Sequence, residues 1–176
     1  MIVENAHESD IEEIAALVNS AYRGESSRTG WTTEADLLSG QRVDAAGLRA
    51  DLSLKPTAMV LTMRALAGGE ILACVWLEQA GPNHFYLGML AVRPTLQAGG
   101  LGRALLEEAE GRAKAAGARA MQLTVIAQRD ALIAWYERRG YARTGIIKPF
   151  PYGAPRVGEP RRLDLRLVEL EKPLRA

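Results

Sequence analysis

The stretch that decides the reading is Leu90–Leu106, LAVRPTLQAGGLGRALL. Its first three residues close a nearly unbroken apolar run from Phe85 to Val92, the pattern of a strand covered on both faces. From Leu101 the rhythm changes: Leu101, Leu105, Ala109 and Ala113 fall on one helical face, and Gly117 ends that helix. Between strand and helix lies Gln97-Ala98-Gly99-Gly100-Leu101-Gly102, with three glycines in four residues. Glycines let the backbone come close to a ligand. The first amides of a helix lack internal partners and sit at the positive end of its dipole, so such a turn can cradle phosphate. Each contact of this kind to a charged oxygen contributes about 1.5–3 kcal/mol.

The spacing narrows the choice of phosphate ligand. A P-loop needs Gly-Lys-Ser/Thr at its end, and here no lysine or hydroxyl residue stands there. A dinucleotide turn needs G-x-G-x-x-G, but Gly100-Leu101-Gly102 is followed by Arg103-Ala104-Leu105. The residues by themselves leave a second possibility, a glycine-rich turn that binds nothing.

Outward from this turn, the chain alternates strands and helices. Upstream, Ile2-Val3 reads as a short strand. Ser9 and Glu12 fit a capping box ahead of an amphipathic helix, Asp10 to Tyr22. Arg23–Gly30 (RGESSRTG) reads as a loop, Thr33 as the cap of a short helix to about Leu38, and Asp44 as the cap of another carrying Leu48 and Leu52. Met59–Ala65 and Ile71–Glu78 read as strands joined by a turn at Gly68-Gly69, with Gly81-Pro82-Asn83 turning into the strand at Phe85. Downstream come a strand at Met121–Val125, a helix with Leu132, Trp135 and Tyr136 ended by Gly140, and a strand at Tyr141–Ile147. A proline-rich loop, Lys148–Pro160, follows. In the last strand the apolar phase flips between Leu167 and Val168, which predicts a bulge there. The strands before Pro94 and at Ala120 flank a helix and are expected to be parallel, with a right-handed crossover. The pattern predicts an α/β fold with one mixed sheet and helices on both faces.

Composition sets outer limits. At 176 residues, 48% apolar and 24% charged, the chain suits one domain spanning 1–176. A formal net charge of +1 gives no global field for nucleic acid or an anionic membrane, and Arg138-Arg139 and Arg161-Arg162 read as solvated faces. No apolar run is long enough to span a bilayer, and Met1–Asp10 does not resemble a signal peptide. The lone Cys74 reads as a buried, inert thiol in a reducing compartment, so a cytoplasmic location is expected. His7 and His84 have no partners at metal-ligand spacing, so no metal is expected.

Gln97-Ala98-Gly99-Gly100-Leu101-Gly102 resembles the Q/R-x-x-G-x-G/A signature of the GNAT N-acetyltransferase superfamily. Leu132–Tyr141 (LIAWYERRGY) resembles that family's second signature, a helix with an aromatic-Tyr pair ending in Gly-aromatic. The order of elements over nearly the whole chain is similar too. The resemblance implies a three-layer GNAT-like fold around a mixed six- to seven-stranded sheet, and an acetyl-CoA-dependent N-acetyltransferase. It implies that Gln97, Ala98, Gly99, Gly100, Leu101, Gly102 and Arg103 bind the pyrophosphate of acetyl-CoA, and that Leu90, Ala91 and Val92 bind its pantetheine arm through the backbone. Tyr136 becomes the candidate general acid that protonates the departing CoA sulfur; a phenol of pKa ~10 can donate to a thiolate whose acid has pKa ~8.5. Segments walling the acceptor site would include Tyr22, Trp31, Glu34, Phe150 and Tyr152. A homodimer is compatible with the resemblance.

Two departures stand out. Arg129 occupies a position where many relatives carry an asparagine that contacts the cofactor; it could pair with a phosphate instead. Relatives often place an acidic base just before the Leu-Ala-Val end of the strand, where this chain has the apolar Leu87-Gly88-Met89. Deprotonating a lysine-like amine at neutral pH costs roughly 4.6 kcal/mol, against ~2 kcal/mol for release of a thiolate and about 1.4 kcal/mol for an α-amine near pKa ~8. The base is therefore the larger problem. Glu78 and His84, at the ends of neighbouring strands, are the substitute candidates, and Glu25 and Glu34 could attract an amine cation. The acceptor is an amine of a small molecule or peptide. A domain that binds acyl-CoA without turnover is the alternative, and an unrelated nucleotide-binding domain a third.

Overall fold

The structure, a computed structural model, describes residues 1–154 and 157–174. In chain order its elements are β1 (Ile2–Asn5), α1 (Ile11–Tyr22), α2 (Gly24–Ser27), β2 (Leu38–Ser39), α3 (Ala45–Leu54), β3 (Met59–Arg64), β4 (Ile71–Gly81), β5 (His84–Val92), α4 (Leu101–Ala115), β6 (Ala120–Ile126), α5 (Asp130–Glu137), β7 (Ala142–Pro149), β8 (Glu159–Pro160) and β9 (Arg166–Pro173). One-turn 3-10 helices lie at Glu8–Asp10 and Pro94–Leu96.

Among the described residues the main sheet has seven strands in the order β1-β3-β4-β5-β6-β9-β7. Its pairs are antiparallel except β5–β6, which is parallel, as expected for two strands joined through a helix. The apolar run of β4 is explained by its two covered faces. Ala73, Val75 and Leu77 pack with Leu105, Leu106, Ala109 and Ile133 of α4 and α5, while Cys74 and Trp76 pack with Ile14, Val18 and Leu48 of α1 and α3. Leu105 is fully buried, and truncating it to Ala is expected to cost about 2–5 kcal/mol. A small third cluster, Leu38, Ile126, Phe150 and Leu165, lies by the two-stranded ladder of β2 and β8.

Several local expectations are corrected. The cap at the first helix is built two residues early: the His7 amide donates to Asp10 Oδ2 at 2.9 Å, while Glu12 instead pairs with Arg49 at 3.1 Å. The loop Arg23–Gly30 contains the short α2. Thr33 caps no helix; its Oγ1 accepts from the Ala35 amide at 3.1 Å within turns, and Leu38 enters a strand. The bulge falls not on β9 but on its neighbour: Arg143 pairs with Leu170 and Ile147 with Val168, so the extra residues belong to β7. The proline-rich loop holds β8, and its Pro155 and Arg156 lie outside the described residues.

Two features of β5 position the site. It runs to Val92, but its ladder with β6 consists of His84–Ala120, Phe85–Met121 and Tyr86–Gln122; beyond these the two strands part. Opposite Cys74–Trp76 of β4, β5 spends one extra residue between Gly88 and Ala91, a bulge with Met89 at φ 53°.

Candidate active site

The gap between β5 and β6 opens toward the start of α4. There the chain turns through Ala98 (φ 67°) and Gly100 (φ 87°) into the helix. Met89 and Ala98 are the non-glycine residues with positive φ among those described, one in the bulge of β5 and the other in the turn that enters α4. Left-handed backbone costs a non-glycine residue roughly 1–2 kcal/mol, so the strain is concentrated at this site. Gly99 donates to Leu96 O at 3.4 Å, whereas the amides of Gly100, Leu101, Gly102 and Arg103 donate to no protein acceptor among the described residues. Four free donors at a helix start suit a diphosphate. Leu90 and Val92 present carbonyls inward, but each already accepts a side-chain hydrogen bond, from the Tyr22 hydroxyl and from Gln97 Nε2 (3.1 Å) respectively; Ala91 is buried against α1.

Gln97 does not offer its side chain to a ligand. Its Oε1 accepts from the amides of Trp31 (2.8 Å) and Thr32 (3.2 Å), and its Nε2 donates to Thr32 Oγ1 (2.8 Å) as well as to Val92 O. It fastens the 30–32 loop to the glycine turn. Arg103 also points away, pairing with Glu107 at 2.8 Å on the exposed side of α4.

Tyr136, on α5, is 6% exposed and stacks edge-on against Trp135 and Tyr141, with ring centroids 4.9 and 5.4 Å away. Its hydroxyl has no hydrogen-bond partner among the described residues and is not sealed from solvent. Burial pushes this phenol well above its ordinary value; the charged and phenolic groups it feels are Tyr22, Arg129, Tyr86 and Arg42. Tyr22 reaches the gap from the opposite face of the sheet, its phenol likewise raised by burial. Tyr86, on β5, spans the parted strands through a 3.2 Å contact between its hydroxyl and Thr124 Oγ1 of β6. Tyr86 and Arg42 were not foreseen from the sequence.

Beside these phenols lies a charge hub. The Glu34 carboxylate, 2% exposed, takes Arg23 (3.3 Å), Arg42 (3.2 Å) and Arg129 (2.9 Å). Arg129 also donates to Thr32 O at 2.5 Å, and the guanidiniums of Arg42 and Arg129 stand 4.4 and 5.5 Å from the Tyr22 ring centroid. This corrects two expectations. Arg129 is spent on Glu34 and on the loop rather than on a phosphate. Glu34 is enclosed by cations and has no free carboxylate edge for an amine. Glu25 lies outside the hub, paired with Arg28.

The other candidates are placed as follows. Glu78 pairs with Lys55 at 2.8 Å and accepts from Trp76 Nε1 at 2.9 Å. His84 opens β5, 3.9 Å from Glu171; six residues, about 20 Å at strand rise, separate it from Leu90. Neither is brought to the gap as a free base. Trp31, 40% exposed, faces Trp135 at 6.2 Å. Phe150 belongs to the small third cluster, and the Tyr152 hydroxyl is engaged by the Leu165 amide (2.7 Å) and Arg162 O (3.1 Å), so both hold the proline-rich loop in place. Cys74 is buried, which pushes its thiol up to about 12. Two open surface hollows of about 520 and 510 Å³ lie away from the gap, one by Arg64 and Glu70, the other by Arg28 and Gly40; neither holds Tyr136 or the free amides. Among the described residues no group of three or more His, Cys, Asp or Glu could hold a metal, and no helix is long and apolar enough to cross a membrane.

Known structures share this fold. The ribosomal-protein-alanine N-acetyltransferase of Brucella melitensis superposes with a TM-score of 0.70 at 19% identity, covering 98% of this chain and 99% of that one. The ribosomal-protein-S18-alanine N-acetyltransferase of Escherichia coli gives 0.70 at 17% identity, covering 99% and 94%. A GNAT-family acetyltransferase of Staphylococcus aureus Mu50 gives 0.68 at 14% identity, covering 99% of each. At these identities the likeness shows a shared fold. No curated protein matches the sequence. The acetyltransferase (GNAT) family profile matches residues 11–141, which takes in the glycine turn, the parted strands and Tyr136. The chain belongs to the GNAT acetyltransferase family.

Proposed function

We propose that this protein transfers an acetyl group from acetyl-CoA to the primary amine of a small molecule or peptide, with Tyr136 as general acid. The observation that carries the reading is the set of free amides from Gly100 to Arg103 at the mouth of the β5–β6 gap. Those amides fit a diphosphate, and the edge of β5 from Leu87 to Val92, which has left its ladder with β6, fits an amide-bearing arm. When bound, acetyl-CoA supplies an activated acyl carbonyl and a thiol leaving group.

The chain's own residues do the rest. The Met89 bulge takes β5 backbone out of register with β4, and an amide released there can stabilise developing negative charge on the acyl oxygen. Tyr136 holds its proton firmly, because burial opposes the phenolate, and its hydroxyl is free to donate. Tyr22, bonded to Leu90 O, braces the bulge from the other face. Leu87 and Met89 contribute no base, and Glu78 and His84 are held elsewhere, so we assign amine deprotonation to solvent in the gap rather than to a carboxylate.

The test follows free thiol with acetyl-CoA and an amine panel, beside calorimetry of CoA binding. Turnover that falls in Tyr136→Phe supports the reading. Tight CoA binding with thiol release at background would favour a sensing domain, and stabilisation by ATP or NAD but not CoA would replace the reading altogether.

A further inference from the structure

The Glu34 hub holds more positive charge than its own carboxylate balances. Three guanidiniums meet one carboxylate, an excess of 3 − 1 = +2. The side chains of Arg23 and Arg129 are 5% and 9% exposed, so water screens them poorly. No second carboxylate among the described residues pairs with Arg23, Arg42 or Arg129. Uncompensated charge in a poorly hydrated site is costly, and a counter-ion bound there recovers part of that cost.

Arg42 is the member of the hub that can receive one. Its side chain is 32% exposed. Only its Nη1 is committed, to both oxygens of Glu34; Nε and Nη2 have no protein acceptor among the described residues and are not sealed from solvent. The central carbon of the guanidinium sits over the Tyr22 ring, 4.4 Å from its centroid, and the hydroxyl of that same ring bonds to Leu90 O at the edge of the gap. One tyrosine side chain therefore separates the free donors from the strand segment where transfer would occur. A planar guanidinium with free donors is suited to a carboxylate or a related oxyanion.

We propose that the acceptor is a small amine bearing an oxyanion, a carboxylate in the simplest case, within a few bonds of the reacting nitrogen, and that Arg42 recognises that oxyanion. The proposal rests on the transfer reading above. It has a second consequence. The excess positive charge disfavours an ammonium beside it, so it helps an acidic amine shed its proton, where Leu87-Gly88-Met89 offers no base. Amines without an anionic group, such as polyamines and lysine side chains, meet repulsion with no compensating contact.

The experiment compares matched pairs: free α-amino acids and their α-amides, each with acetyl-CoA, at one pH. The amide has the less basic nitrogen, so intrinsic reactivity favours it, and a preference for the acid must come from the site. The expected result is a kcat/KM for the acid roughly tenfold or more above that of its amide, with the ratio collapsing toward one in Arg42→Gln, mostly through KM. The ratio is internal to each variant, so a general loss of folding cannot mimic it. A second measurement titrates the CoA-saturated protein with an N-acetyl amino acid and with its amide, and needs no turnover. Tighter binding of the acid supports the proposal even if thiol release is absent, in which case it is the transfer reading that fails. Turnover of both members of each pair with the amide equal or better, or equal binding or no binding of the two N-acetyl compounds, overturns the proposal and leaves the transfer reading standing wherever thiol is released.

Discussion

Gln97 grips Thr32 with both ends of its side-chain amide: Oε1 accepts from the Thr32 N–H at 3.2 Å and Nε2 donates to Thr32 Oγ1 at 2.8 Å. With the bond to Trp31, three contacts tie the 30–32 loop to the glycine turn, and a fourth ties Gln97 to Val92 of β5. Gln97→Ala is expected to lower stability by about 2–6 kcal/mol, at a net 0.5–1.5 kcal/mol for each of its four hydrogen bonds. It should also raise KM for acetyl-CoA, because the turn loses its anchor. Gly30→Ala should have a similar effect, since a Cβ there would overlap the Gln97 amide. Thermal melts and a KM series check both.

Tyr136→Phe keeps the ring between Trp135 and Tyr141 and removes a hydroxyl that bonds to no described residue. The melting temperature is expected to stay within about 2 °C, while kcat falls by roughly 10²-fold or more. A large loss of stability with unchanged kcat would remove Tyr136 from the chemistry.

Stability should decline on the alkaline side. Folding raises the phenols of Tyr22, Tyr136 and Tyr141 and the thiol of Cys74 through burial, so the native state keeps protons that the unfolded chain releases. The stabilisation is fully present below the unfolded values, 9.0 for Cys74 and 10.0 for the phenols, and is lost as pH rises past them. Denaturant midpoints should therefore be level from about pH 7 to 8.5 and fall above about pH 9. Cys74→Ala should flatten the part of that fall between 9.0 and about 12.

Glu34→Gln leaves three arginines around a neutral side chain. Losing one member of a buried ion cluster costs about 3–5 kcal/mol, and that is the expected loss in denaturant unfolding. Adding Arg129→Met to Glu34→Gln should recover part of it, because one unpaired guanidinium goes with its partner. A double variant no more stable than Glu34→Gln would contradict the charge explanation.

Glu78→Gln and His84→Ala are expected to hold kcat/KM within about threefold of the parent, since neither group reaches the gap as a free base. A pH–rate profile in which either substitution erases the acid limb would restore that residue as the base.

Short-range patterns carried most of the fold. The nearly continuous apolar run of β4, the helical spacing of Leu101, Leu105 and Ala109, and Pro94 ending β5 are local signals, and they mark the elements that build the sheet and the glycine turn. The Glu34 hub was not legible, because Arg23, Glu34, Arg42 and Arg129 are joined by tertiary packing alone and no spacing rule connects them. Gln97 was legible as a position but not in its direction: a signature marks where a residue stands, and the polar atoms of the 30–32 loop decide where its amide turns. The bulge misassigned to β9 has the same origin. Leu167 and Leu170 pack on two different clusters, which breaks the apolar phase of a strand whose ladder with β6 is regular.

The brief β5–β6 ladder divides the backbone hydrogen bonding of the sheet into two plates, β1-β3-β4-β5 and β6-β9-β7, seamed by three residue pairs. On deuterium exchange, the β5 amides that face the seam beyond Tyr86 should open well before those that pair with β4. A ligand carrying its own amides into that slot would act as a staple, turning two plates that can breathe separately into one cooperative sheet.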